Sequence, residues 1–204
     1  HAKRAISCLE KLAPTETVHK RTIDARVMLA TYYLILNYWN EAKDAVEPVV
    51  DLALDLDYQK RLAGIHAVIG LYYMINEEDF SKGQEHLVKA FDVGARVGDF
   101  MVLWLGNHQL GSMLFLNYRF EESLTHLKTA LDLSAMANSL TGISLAKSSM
   151  AMNYYLQGNA ALALKTGREA VEAAQKSEDI QALQTSHTSC GSSCYYMGYF
   201  PEAE

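Results

Sequence analysis

Residues 110–123, LGSMLFLNYRFEES, carry the pattern on which the fold turns. Leu110 and Gly111 are followed three residues later by Leu114, which sets a small residue and two apolar ones on one face of a helix. A turn at Arg119 ends that helix. Phe120 then returns an aromatic ring toward the core, and Ser123 puts a second small residue near the start of a second helix.

The same arrangement recurs in both directions along the chain. Small residues stand at Ala30, Gly70, Gly111, Ala151 and Gly191, at spacings of 40, 41, 40 and 40, preceded by Leu29, Ile69, Leu110, Met150 and Cys190. Three residues after them come Tyr33, Tyr73, Leu114, Tyr154 and Cys194. A second series, Ala2, Ala42, Gly83, Ser123, Ala163 and Ala203, keeps the same period, and each of its first five members lies 28 residues before the next member of the first. Two series locked in phase mean two helices per unit. Their small side chains let paired helices approach backbone to backbone.

Between the helices a turn precedes a large or apolar residue: Asn37 with Trp39, Asp79 with Phe80, Arg119 with Phe120, Gly158 with Ala160 and Gly198 with Phe200. Gly158 and Gly198 suit the left-handed residue that ends a helix. After the second small residue, runs such as Ala42, Val46, Val49 and Ser123, Leu127, Ala130 form the stripe of an amphipathic helix. Gly167 interrupts that series once.

These residues resemble the tetratricopeptide repeat (TPR), with "YYLILNYWNEA", "MLFLNYRFEES", "YYLQGNAALAL" and "YYMGYFPEA" as the passages that carry the likeness. The usual repeat has a period of about 34 residues. Here it is 40, and Arg26, His66, Asn107, Lys147 and His187 stand where its Trp belongs. Helices longer by about a turn are expected. HEAT and armadillo repeats share the longer period but lack the aromatic-then-alanine entry to the second helix. The long period is similar to that of arrays in large signalling proteins.

The expected fold is therefore all-α, a right-handed superhelical solenoid of stacked antiparallel hairpins with about ten helices. The phase divides residues 1–204 into one such array: 1–12 the second helix of a preceding repeat, then repeats at 21–56, 58–97, 100–136 and 140–175, and a first helix and turn at 179–204. On this phase the chain is a piece of a longer array, with an uncapped apolar edge near Cys194, Tyr196 and Phe200.

Composition narrows the function. The net charge is −6, and no Lys/Arg stripe could neutralise a phosphate backbone, so nucleic acid is not an expected partner. Three cysteines, Cys8, Cys190 and Cys194, form no disulfide framework and suit a reducing, cytoplasmic setting. Residues 100–118, 148–164 and 180–201 lack Asp, Glu, Lys and Arg, yet groups such as Asn107, His108, Gln109, Ser112 and Asn117 argue against membrane insertion. Phosphate loops, G-x-G-x-x-G, H-E-x-x-H and C-x-x-C are all missing, so neither enzyme activity nor a cofactor is expected. Cys190 and Cys194 share a helix face with His187, but their register is that of buried Leu and Tyr elsewhere, which favours packing over metal ligation. Glu77, Glu78, Glu121 and Glu122 sit where carboxylates complement a helix start.

The resemblance also implies where a partner binds, because in such arrays the first helix of each hairpin lines the concave side. The family's groove positions fall on Asp24, Val27, Thr31 and Leu34; Gly64, Ala67, Leu71 and Met74; Leu105, His108, Ser112 and Phe115; Leu145, Ser148, Met152 and Tyr155; and Thr185, Thr188, Ser192 and Tyr195. Val27, Ala67, His108, Ser148 and Thr188 occupy the place of the first lysine of a carboxylate clamp, so chaperone tails are not expected ligands. A groove of apolar and hydroxyl side chains fits an uncharged extended peptide or an amphipathic helix. The expected role is a noncatalytic protein-interaction scaffold in a larger intracellular signalling protein. The alternatives are a sensory module that relays a small ligand to attached catalytic domains, and self-association through the repeat ends.

Overall fold

A computed structural model describes residues 1–36, 38–199 and 201, without the side chain of Ile35. Asn37, Phe200 and Ala203, and with them part of the expected turn and edge features, lie outside the described residues. Among the described residues the regular structure is helical: α1 (Ala2–Leu9), α2 (Glu16–Ile35), α3 (Trp39–Val46), a 3₁₀ turn (Glu47–Val49), α4 (Val50–Asp55), α5 (Gln59–Ile75), α6 (Phe80–Val97), α7 (Phe100–Leu116), α8 (Phe120–Met136), α9 (Leu140–Leu156), α10 (Ala160–Ser177) and α11 (Ile180–Tyr196). None of these helices is long and apolar enough to cross a membrane.

The chain forms two compact units, His1–Gly106 and Asn107–Glu204, divided within α7. In the first, α1 and α3 pack on α2, and α5 packs on α3 and α6. In the second, α9 contacts α8, α10 and α11, and α10 contacts α11.

Helix ends follow from local chemistry. Thr15, Asp79, Ser139, Asn159 and Asp179 each accept a backbone N–H of the helix they precede, which satisfies one of its unpaired donors. The Thr15 cap starts α2 at Glu16, five residues ahead of the expected 21. Pro48 lies in the 3₁₀ turn that splits the second helix of this repeat into α3 and α4, because proline supplies no N–H to a helix interior.

Left-handed residues close the helices at the repeat period. Between the two helices of a hairpin they are Glu78, Tyr118, Gly158 and Gly198; between hairpins they are Asp57, Gly98, Asn138 and Glu178. Gly158 and Gly198, the two identified from sequence, have φ of 78° and 80°. At the hairpin turns the Tyr33, Leu114, Tyr154 and Cys194 carbonyls accept N–H groups from Tyr38, Arg119, Asn159 and Tyr199, five residues on. In the second repeat the bond runs from Asp79 N–H to Tyr73 O, one residue farther. That additional turn residue accounts for the single spacing of 41 in each small-residue series.

The two series meet across the second and third hairpins. A Cβ on Gly70 would lie 2.9 Å from the Gly83 carbonyl oxygen, and one on Gly83 would lie 2.8 Å from the Gly70 oxygen and 2.2 Å from Met74 Cγ. In the third repeat Ser123 Oγ donates to the Gly111 carbonyl at 2.7 Å, so a hydroxyl fits the same crossing by forming a hydrogen bond. Gly167 has its own crossing, with Cys190 Cα 3.0 Å from where its Cβ would stand.

Polar ties occupy the positions where the usual repeat has Trp. Arg26 Nη1 donates to the Ala45 carbonyl, His66 Nδ1 lies 3.1 Å from His86 Nδ1, Asn107 Oδ1 lies 2.9 Å from His126 Nδ1, and Lys147 Nζ is 2.6 Å from Glu169 Oε2. Each links the first helix of a hairpin to the second.

Three substitutions test this geometry by chemical denaturation. Gly70→Ala is expected to cost about 1–3 kcal/mol through overpacking, whereas Lys128→Trp on an exposed face of α8 should stay within about 0.5 kcal/mol. Glu178→Gly relieves a left-handed φ of 56° and is expected to gain up to about 1 kcal/mol.

Candidate functional site

The second unit contains a cleft of about 380 Å³ bordered by Phe115 of α7, Ser148, Ser149 and Met152 of α9, and Gln181, Gln184, Thr185, Thr188 and Ser189 of α11. None of these side chains is charged. Phe115 is 6% exposed and belongs to a core cluster with Leu124, Leu127 and Met150, against which Met152 also packs. It serves as a rigid base more than a free surface.

One wall carries a short hydrogen-bonded chain. Ser149 Oγ lies 3.1 Å from His108 Nε2 and 3.3 Å from Ser112 Oγ. Burial pulls the His108 pKa down to about 4, while a backbone hydrogen bond at Leu145 acts in the opposite direction. The imidazole is therefore neutral at physiological pH, and this wall offers no cation. Beside it the Ser148 hydroxyl is enclosed, without a hydrogen-bond partner among the described residues.

The opposite wall belongs to α11, where Thr185 Oγ1 donates to Gln181 O and Thr188 Oγ1 to Gln184 O, both at 2.9 Å. Ser192 Oγ does the same to Thr188 O. Tyr195 is 66% exposed on the last turn of α11. Tyr155, half-buried, packs edge-on against Tyr196 with ring centroids 5.6 Å apart.

The expected groove residues thus divide. Phe115, Ser148, Met152 and Thr188 come together in the cleft, with His108 and Ser112 behind its wall through Ser149. Leu71 and Met74, 0% and 6% exposed, are enclosed in the first unit and offer no surface to a partner. Val27, Leu34 and Ala67 are buried as well. The physical reason is that adjacent first helices pack on one another, as α9 does with α11, so the apolar members of the stripe that face a neighbouring helix join the core, and Ser148 with them, while Thr185 and Thr188 on the last helix stay exposed. Leu105 and Leu145 are half-buried, and Ser192 lies along α11 beyond the cleft.

The transferred stripe omits Ser149, Gln184 and Ser189, which lie one position to either side of it, and Gln181, one turn before its first residue on α11. In the first unit, the one charged groove residue, Asp24, is held by Arg61 at 2.6 Å and by Tyr58 Oη at 3.0 Å. Arg61 neutralises it, and with Tyr32, Met28 and Thr31 these side chains border a second hollow of about 270 Å³.

Cys194 is buried, and Cys190 packs against Gly167, its thiol pKa raised by burial and by Cys194. Among the described residues no group of three or more His, Cys, Asp or Glu could hold a metal ion. Glu122 is engaged by Arg119 at 2.6 Å, which holds its carboxyl below the usual range, as expected of a helix-start carboxylate in solvent.

Comparison with known proteins agrees with this architecture. A family model described as anaphase-promoting complex subunit 5 matches residues 66–101 and 112–191, more than half of the chain. No curated protein matches. Among solved structures, BtubC (BKLC) from P. vanneervenii superimposes with a TM-score of 0.75 at 16% identity, covering 99% of this chain and 84% of that one. A kinesin light chain from Podosopora anserina with nearly identical TPR-like repeats gives 0.61 at 17% identity, with 89% of each chain covered. The likeness to both is one of fold: an all-α, TPR-like helical repeat.

The half-buried imidazoles set a pH dependence. Desolvation lowers the pKa of His66 to about 4, as it does for His108, and lowers those of His86 and His126. Since the folded values lie below the unfolded value near 6.5, the unfolded chain binds more protons as pH falls, and stability is lost in that direction. Thermal midpoints should hold above pH 7 and decline between pH 6.5 and 5, above most carboxylate titration. His108→Gln should make that decline shallower.

Proposed function

The chain belongs to the anaphase-promoting complex subunit 5 family, and from that premise we propose that it is a noncatalytic scaffold that takes an uncharged segment of a partner protein into the cleft between α9 and α11. The observation that carries this reading is the cleft lining, in which apolar and hydroxyl or carboxamide groups occur without a single charge. A charged ligand would lose its hydration there with nothing to replace it. The neutral state of His108 supports the same reading, because the place of a clamp lysine holds no positive charge. Membership in a family described as a subunit of a complex supports a role in holding proteins together. A regulatory part of a larger intracellular protein is the setting in which such a scaffold acts.

The test is selection from a displayed library of random 12-residue peptides on the immobilised protein. Peptides enriched on the wild type should lack charge at their central positions. Thr188→Arg, at an exposed position, should keep the thermal midpoint and remove the enrichment. Equal enrichment on both proteins would place the binding site elsewhere, and no enrichment at all would contradict a peptide-binding cleft.

A further inference from the structure

The hydroxyls of the α11 wall have already committed their protons. Thr185 and Thr188 each donate their one O–H to a carbonyl of their own helix at 2.9 Å, which leaves only lone pairs facing outward. At these two positions the wall accepts hydrogen bonds and cannot offer them, while the carboxamides of Gln181 and Gln184 beside them can do both. Against the threonines, a partner carbonyl would meet lone pairs, and an ammonium or guanidinium would find no carboxylate in the lining.

On the reading of the cleft as a partner site, we propose that it selects neutral hydrogen-bond donors: its occupant is an extended segment whose unpaired backbone N–H groups address Thr185 and Thr188 while an apolar side chain rests on Met152 above Phe115. A helical occupant fits poorly, since its N–H groups are spent within its own backbone. An extended chain presents N–H groups on one side about every 7 Å. The two threonines sit on successive turns of α11 with side chains about 5–6 Å apart, a span that one such chain can bridge.

The experiment uses the most strongly enriched library peptide, synthesised with a single backbone N-methyl group at each position in turn and titrated by fluorescence anisotropy. N-methylation at one or two positions should weaken binding to the wild type roughly tenfold, the scale of one lost hydrogen bond. Thr188→Val, which keeps the shape and removes the acceptor, should weaken the parent peptide similarly, and Thr188→Ser should restore it. The sensitive N-methyl position should then cost little further in the Thr188→Val background. If every N-methyl peptide and Thr188→Val bind within twofold of the parent while Thr188→Arg abolishes binding, the cleft is the site but donor selection is wrong. Enrichment of helix-forming peptides indifferent to N-methylation would overturn the inference in the same way. An unproductive selection overturns it together with the reading beneath it.

Discussion

Backbone-to-backbone approach at the hairpin crossings is the constraint on which the structure depends. Around Gly70 and Gly83 the carbonyls lie so near the opposing Cα atoms that a methyl group on either would fall within 3 Å of an oxygen. Ser123 satisfies the same crossing by donating to the Gly111 carbonyl. With the paired helices fixed at that distance, Leu87 and Leu127 are fully buried beside the contact. Packing density of this kind leaves few alternatives for the neighbouring side chains, so turn, cap and polar tie fall at equivalent places from one repeat to the next.

Function follows from what the crossings leave over. Apolar groups on the first helices are drawn into the contacts between helices, as Phe115 joins Leu124, Leu127 and Met150. On α11 the hydroxyls of Thr185 and Thr188 stay near the surface and hydrogen-bond within their own helix. The resulting cleft has an apolar base and, on α11, two threonines that present lone pairs. On the proposed reading, its recognition chemistry is a by-product of how the repeat is built.

Much of this was legible in the sequence, because a small residue at a crossing is dictated by backbone geometry and recurs wherever the geometry does. Ala30, Gly70, Gly111 and Ala151 could be placed from spacing alone. The left-handed conformation of Tyr118, Asn138 and Glu178 was not legible, since tertiary closure of the hairpins imposes a backbone state that those residues do not advertise. The ties at His66, Asn107 and Lys147 were also hidden: they are pairs about twenty residues apart in which neither partner alone forms a pattern. Asn153 is a similar case, fully buried and donating to Ser123 Oγ at 2.7 Å and to the Phe120 carbonyl. Periodicity gives the face of a helix but not the depth to which a neighbour covers it, which is why Leu71 and Met74 read as groove residues and lie in the core.

A double-mutant cycle on Gly111 and Leu127 tests the crossing most directly, because a Cβ at position 111 would stand 2.7 Å from Leu127 Cγ. Measured by denaturant unfolding, Gly111→Ala should be markedly less costly in the Leu127→Ala background than in the wild type, with a coupling of about 1 kcal/mol or more. Strictly additive effects of the two substitutions would show that the helices do not meet there, and the account of the fold would fail.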